Sequence, residues 1–287
     1  DRVIVDGHAE ECSGGGVYFG SVALRRMGLR VGIVTRLKAD DFPYLDELKQ
    51  EGVQVFATPA TETSGIANYY NSADMERRVC KVLGFAGPIQ IADLPDVTAR
   101  VYAISPLIAG EVDFDLLTAL AARGPVALDV QGFVRVRDGD DLVFKPWVQM
   151  AEGLAKVTYL KVDRAEAELL TGETDLVRAA QRLAEYGPRE IVLTQSSGVT
   201  VFADGKVYEA PFTPHSLVGR TGRGDTCFST YLGRRLTAPP EEACRFSAAV
   251  TTLKQEKPGP WRGTLEEVET VIANHKDHLT TKIQRPS

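Results

Sequence analysis

Short apolar runs bounded by turn residues recur along this chain, and between them lie stretches with apolar residues at helical spacing. Residues 31–37, 53–57, 101–105, 126–130, 157–162 and 191–194 read as strands. Residues 45–50 (ending at Gly52), 113–122, 164–170 and 176–186 read as helices. Consecutive parallel strands need crossover connections, so this order predicts an α/β fold with a mostly parallel central sheet and helices on both faces. In such sheets ligands collect at the carboxyl ends of the strands.

One stretch breaks that rhythm. Between Thr63 and Phe85, Ile66, Ala67, Tyr69 and Tyr70 precede a polar turn at 71–76, and Val79, Lys81, Leu83 and Phe85 follow it. Alternation on either side of a polar turn predicts a β-hairpin. A hairpin inserted in an α/β chain is either a lid over a site or a plain edge hairpin, and the pattern fits both. There is no internal repeat or low-complexity linker, so one core with a lid is expected.

The totals narrow the function class. With 287 residues, 44% hydrophobic and 25% charged, the chain matches an ordinary globular protein of one large or two modest domains. No apolar run reaches the roughly 20 residues that span a bilayer, and the start, Asp1 to Asp6, lacks the apolar core of a secretory leader. A soluble, cytoplasmic location is the expectation, with no membrane partner. Net charge is −6 and no block of Lys or Arg stands out, which argues against nucleic acid. Cys12, Cys80, Cys227 and Cys244 form no Cys-x-x-Cys, so reduced structural thiols are expected in place of a zinc or redox motif. His275 and His278 share a helical spacing but have no third ligand nearby, which favours a solvated helix end.

The stretch richest in chemistry runs Gly219-Arg220-Thr221-Gly222-Arg223-Gly224-Asp225, then Thr226-Cys227-Phe228-Ser229-Thr230-Tyr231-Leu232. Gly222 and Gly224 allow a tight turn and close approach of backbone to ligand. Phe228, Tyr231 and Leu232 follow at helical spacing, so a helix is expected to begin near Asp225. Free N–H groups at such a start form an anion site, and Asp225 would stand beside the bound anion as a general base. That pair suffices for phosphoryl transfer to an alcohol. Spacing alone equally allows Asp225 to be no more than a helix cap.

Thr221-Gly222-Arg223-Gly224-Asp225 resembles the signature of the ribokinase-like (PfkB) carbohydrate kinase family, usually Thr-Gly-Ala-Gly-Asp. Three further segments agree in order and rough spacing. Gly14-Gly15-Gly16, with Val22-Ala23-Leu24 and Met27-Gly28, is similar to the family's N-terminal glycine motif. Tyr159 to Glu166 resembles its Asn-x-x-Glu segment, with Asp163 in place of Asn. Ile191 to Thr194 leading to Gly198 resembles the turn that approaches the nucleotide, although Ser196 replaces a glycine. Together these cover about 14–254 and imply a three-layer α/β/α kinase fold over 1–287, with a small β lid from about 1–14 and 62–85.

The same resemblance implies the site. Asp225 would be the catalytic base and the amides of Gly222, Arg223 and Gly224 the anion hole. Gly14, Gly15, Gly16 and Asp1 would face the substrate, Thr194 and Gly198 the nucleotide. Asp163 and Glu166 would act on Mg2+ through its waters, and ATP would be the donor. Arg223, which replaces a small residue, either adds charge near the phosphates or points to solvent. Homodimerisation through the lid is common in the family, and the sequence leaves open whether a homodimer forms here.

Departures from the pattern bear on the acceptor. Phe19 stands where the family usually has an Asn, so a sugar-recognising amide is missing. The family begins with a buried strand before its substrate Asp; here Asp1 takes that place, and a missing N-terminal strand is expected. Leu128 to Arg135 resembles a feature of the inositol-kinase-like branch, which points to a cyclitol; the alternative is a strand end where Asp129 and Arg135 are structural.

Two other glycine readings fail. Gly14-x-Gly16-x-x-x-Gly20 lacks the buried strand a dinucleotide fingerprint needs, and no P-loop pattern is present. The expectation is a kinase for the hydroxyl of a sugar, polyol, cyclitol or nucleoside. Its competitor is an inactive kinase fold that survives as a ligand sensor.

Overall fold

The computed structural model describes residues 1–71, 74–274 and 280–283. His275, His278 and the middle of the expected polar turn, 72–73, lie outside the described residues.

The main sheet has seven strands in the order Thr280–Ile283, Lys206–Pro211, Gly198–Ala203, Glu190–Thr194, Tyr159–Asp163, Val126–Asp129 and Tyr102–Ile104. The last four of these run parallel to one another, and the first four form an antiparallel meander. Gly32–Lys38 and Gln54–Ala60 add a separate parallel pair. The parallel strands are those that alternate with the helices foreseen from the periodicity.

Side-chain alternation in the central strands builds the three layers. In Glu190–Thr194 every residue is buried; Ile191 and Leu193 enter one apolar cluster and Val192 the other. Strands covered on both faces read as continuous apolar runs for this reason. On the first face pack Phe114–Arg123, Arg164–Thr171 and Leu176–Ala184, through Leu116, Leu117, Leu120, Ala167, Ala179 and Leu183. On the second face Arg223–Arg235 and Pro240–Gln255 contribute Cys227, Phe228, Tyr231, Ala243, Cys244 and Ala248. Truncating a side chain such as Leu160, fully buried between strand and helices, would cost about 2–5 kcal/mol.

Helix starts are set by short acidic side chains. Asp113, Asp163 and Asp175 each accept a bond from the backbone N–H three residues on, satisfying a donor the helix itself cannot use. The helix expected at 45–50 is the second half of a longer turn: a 3-10 stretch, Ala39–Leu45, runs into Asp46–Gln50.

A second sheet, of six strands, lies across the site end. Its order is His8–Glu11, Arg2–Val5, Gly65–Asn71, Asp74–Gly84, Asp141–Phe144 and Arg135–Asp138. The hairpin foreseen at 63–85 is its centre, with Ile66 opposite Val82 and Asn68 opposite Cys80. The outer strand His8–Glu11 is exposed at each position, which explains its polar sequence. Residues 135–144 supply two strands that the periodicity did not show. Their turn carries Asp138-Gly139, and Gly139 has φ +64, the left-handed backbone a tight hairpin favours. No helix among the described residues is long and apolar enough to cross a membrane.

Candidate active site

The 219–225 loop ends as its glycines require. Gly222 is the N-cap of helix Arg223–Arg235 with φ +80, a region in which a side chain would be strained. It also has no room: a β-carbon there would lie 2.3 Å from the Phe19 ring. Asp225 falls in the first helical turn, where the free N–H groups favour negative charge. Phe228, Tyr231 and Leu232 bury the other face of the turn against the sheet and fix its direction. The helix starts two residues earlier than the spacing suggested.

The N-terminal glycine motif meets this loop. A β-carbon on Gly16 would lie 2.5 Å from Ser105 Cβ and 3.4 Å from Asp225 Oδ1; one on Gly14 would lie 2.0 Å from Asp1 Oδ2. Gly14 therefore makes space for Asp1, and Gly16 for the approach of helix Gly15–Arg26 to Asp225. Asp1 Oδ1 accepts the Ile66 N–H at 3.1 Å, tying it to the six-stranded sheet. Asp1, Gly15, Gly16 and Asn68 line one side of a single cleft. Thr194, Arg220 and 221–225 line the other, with Asp129, Arg135, Lys161 and Asp163 in the wall between.

That wall is a buried charge network. Lys161 Nζ lies 3.1 Å from Asp129 Oδ1 and 3.5 Å from Glu166 Oε2. Arg135 lies 3.6 Å from Glu166 Oε1 and 3.9 Å from Asp163 Oδ2. Burial by itself would strip the proton from Lys161, but the surrounding carboxylates of Asp129, Glu166 and Asp163 outweigh it and hold the ammonium charged. Burial raises Glu166 to about 6 against the pull of Lys161, and raises Asp129 as well, helped by the nearby Asp225 charge. Removing one member would leave a partner charged and dry, so the set stands or falls together.

Several residues named from the sequence have a structural task here. Asp163 and Glu166 form a capping box: Asp163 Oδ1 accepts the Glu166 N–H at 2.8 Å and Glu166 Oε2 accepts the Asp163 N–H at 2.7 Å. Asp163 reaches the cleft wall, whereas Glu166 is fully buried behind it. Thr194 is in the wall, and a β-carbon on Gly224 would lie 3.8 Å from Lys161 Nζ and 3.9 Å from Thr194 Oγ1. Gly198 is not brought into the cleft. It sits in the sheet opposite Pro211, where a β-carbon would lie 2.5 Å from Ala210 O. Arg223 lines the cleft with Arg220.

Lys161, Asn68 and Arg220 escaped the sequence reading. Lys161 carried a signal, a lone cation in the middle of an apolar strand. Asn68 shares the inward face with Ile66 by strand alternation and is almost fully buried, its Oδ1 accepting the Cys80 thiol. It supplies a cleft-wall amide.

An acidic residue at a glycine-capped helix start, opposite a polar wall and beside buried cations, defines a phosphotransferase with an alcohol group as acceptor. The chain belongs to the pfkB family of carbohydrate kinases, whose sequence pattern matches residues 7–266. A pyrophosphate-dependent kinase of the ribokinase family, solved as a sulfate complex, superposes with a TM-score of 0.87 at 36% identity, covering 94% of this chain and 96% of the other. A pyrophosphate-dependent kinase in complex with a pyrophosphate analog and myo-inositol gives 0.87 at 35% identity, over the same shares. The cytidine kinase of Thermococcus kodakarensis is 25% identical over 280 residues, 92% of this chain and 95% of its own.

Proposed function

We propose that this enzyme transfers a phosphoryl group to a hydroxyl of a cyclitol of the myo-inositol type, with inorganic pyrophosphate as the donor and Asp225 as the base. The observation that carries the reading is the meeting of Asp225 with Gly16 at the floor of a cleft that has two chemically different sides. On the acceptor side Asp1, Asn68, Ser105 and Gln131 present a carboxylate, two amides and a hydroxyl, a set suited to a ring bearing several hydroxyls. On the donor side Arg220 and Arg223 line the cleft with the glycine loop, and Lys161 and Arg135 add cations from the wall between. Cations and amides recognise phosphate. The two solved relatives named for pyrophosphate favour this donor over the ATP that family membership alone implies.

Asp225 would take the hydroxyl proton as the oxygen attacks, and the 222–224 amides would hold charge developing on the transferred group. The six-stranded sheet would act as the lid, screening the cleft from water. Among the described residues no three His, Cys, Asp or Glu side chains gather as a metal cage. The oxygens present fit Mg2+ held through its waters: Asp163 reaches the wall, and Glu166 Oε1 is buried without a hydrogen bond behind it. When bound, the ion would neutralise donor phosphate charge.

The test follows phosphate NMR of the purified protein with Mg2+, offering pyrophosphate, ATP or ADP to myo-inositol, other cyclitols, ribose and cytidine. Turnover of pyrophosphate with a cyclitol, at least tenfold above ATP, is expected. Turnover confined to ATP would overturn the donor assignment, turnover confined to ribose or cytidine the acceptor assignment. Donor binding with no turnover in any pair would restore the sensor reading.

A further inference from the structure

Helix Pro240–Gln255 ends next to the anion-hole loop, and its last turn buries a cation that the reaction scheme above does not use. Lys254 is 2% exposed. Its Nζ donates to Gly219 O at 2.5 Å and lies 5.1 Å from the centre of the Phe19 ring, over its face. The Gly219 N–H in turn donates to Gln255 O at 2.8 Å, so the loop is held to the helix end from both sides. Gly219 allows this contact, since a β-carbon there would lie 1.9 Å from Lys257 O.

Phe19 transmits the contact. The same ring that Lys254 covers is packed on Gly222, and Phe19 belongs to helix Gly15–Arg26, which delivers Gly16 to Asp225. Lys254, Phe19 and Gly222 thus form one stack joining three elements that meet at the reacting centre. A buried ammonium costs several kcal/mol to desolvate, which a methylene chain of equal size would avoid. An apolar side chain could fill the volume but could not hold Gly219 O or place charge behind the loop.

We propose that Lys254 is a positioning residue for phosphoryl transfer, a fixed positive charge behind the anion hole that holds Gly219 to Gly222 in register with Asp225. Burial lowers its proton affinity to about 8, with the Asp225 carboxylate and the Cys12 thiol acting in the opposite direction. The charge is therefore present at neutral pH and fades as pH rises through that value. This inference rests on the reading of Asp225 and the Gly222–Gly224 amides as the transfer machinery.

The experiment compares Lys254→Met, Lys254→Arg and Lys254→Ala with wild type under the best donor and acceptor pair, alongside melting temperatures. Lys254→Met should lose about 100-fold in kcat with acceptor KM within about threefold, the size expected for one anion-hole element. Lys254→Arg should keep most of kcat and remove the wild type's decline above pH 8. Methylammonium should restore Lys254→Ala at least tenfold in a saturable manner, and tetramethylammonium should not. Equal kcat in Lys254→Met and wild type would overturn the proposal. So would losses in the Met and Arg variants that merely track melting temperature, without rescue by amine. If Asp225→Asn is as active as wild type, the underlying site reading is what has failed. If Asp225→Asn is inactive and Lys254→Met is not, only the present inference is lost.

Discussion

Gly16 and Asp225 approach so closely that a β-carbon on the first would stand 3.4 Å from Oδ1 of the second, and 2.5 Å from Ser105 Cβ. The glycine of one helix and the acid of another, more than 200 residues apart in the chain, thereby meet in one cleft. Gly16→Ala should keep the fold and displace Asp225 or Ser105. A shift of about 1 Å at a reacting group can cost about 100-fold. We expect kcat/KM to fall 10- to 100-fold with melting temperature little changed; unchanged kinetics would separate the two residues functionally.

Asp225→Asn keeps shape and removes the base. Turnover should fall by about 1,000-fold or more while pyrophosphate binding, followed by calorimetry, stays within a few-fold. Comparable turnover in the variant would leave Asp225 as no more than a first-turn acid that favours the helix start.

Asn68→Leu removes the buried amide of the acceptor wall and leaves the donor side untouched. Acceptor KM should rise about tenfold, the equivalent of one hydrogen bond, with donor KM constant. The product should also be checked by NMR for a changed site of phosphorylation. Equal effects on both substrates would mean that Asn68 supports the sheet and not the acceptor.

Glu166 gives a pH signature. Its folded pKa stands at about 6 against an ordinary 4.5, so between those values the folded protein binds more protons than the unfolded chain. Stability from this group is complete below pH 4.5 and is lost as pH rises through 6, on the order of 2 kcal/mol. Glu166→Gln removes that slope. Urea midpoints from pH 4.5 to 7 should show the wild type losing ground to the variant; parallel curves would mean the carboxyl is ionised throughout.

Away from the cleft, Arg235 and the Tyr231 hydroxyl share the nearly buried Glu190. Arg235→Leu strands that carboxylate and should cost about 3 kcal/mol in urea denaturation. Activity at low temperature should survive, since none of the three lines the cleft. A loss below about 1 kcal/mol would show that water reaches Glu190.

What could be read beforehand was what depends on neighbours in sequence. Apolar runs and glycine turns gave the parallel strands, their helices and the hairpin, because local periodicity records burial on one or two faces. The 222–225 loop was legible for the same reason: turn, amides and acid are adjacent. Lys161, Arg135 and Asn68 each act through a partner distant in sequence, such as Asp129 for Lys161 and Cys80 for Asn68. Nothing in a single run of residues reveals such pairs. The 135–144 hairpin was hidden by its charge, since strands in an exposed sheet do not need apolar alternation, although Asp138-Gly139 marked its turn. Gly198 shows the reverse error: a glycine read as a nucleotide contact is explained by a neighbouring strand's carbonyl.

Arg135 belongs to both halves of the molecule. It opens a strand of the six-stranded sheet, and its guanidinium lies against Glu166 and Asp163 in the body. Any swing of that sheet away from the cleft must therefore pull a cation out of a carboxylate pair, so that opening is a separation of charge as well as a change of shape. A multiply charged donor arriving at the wall would compete with the carboxylates for the same guanidinium. Motion and donor occupancy would be linked through one side chain, with no separate sensor needed.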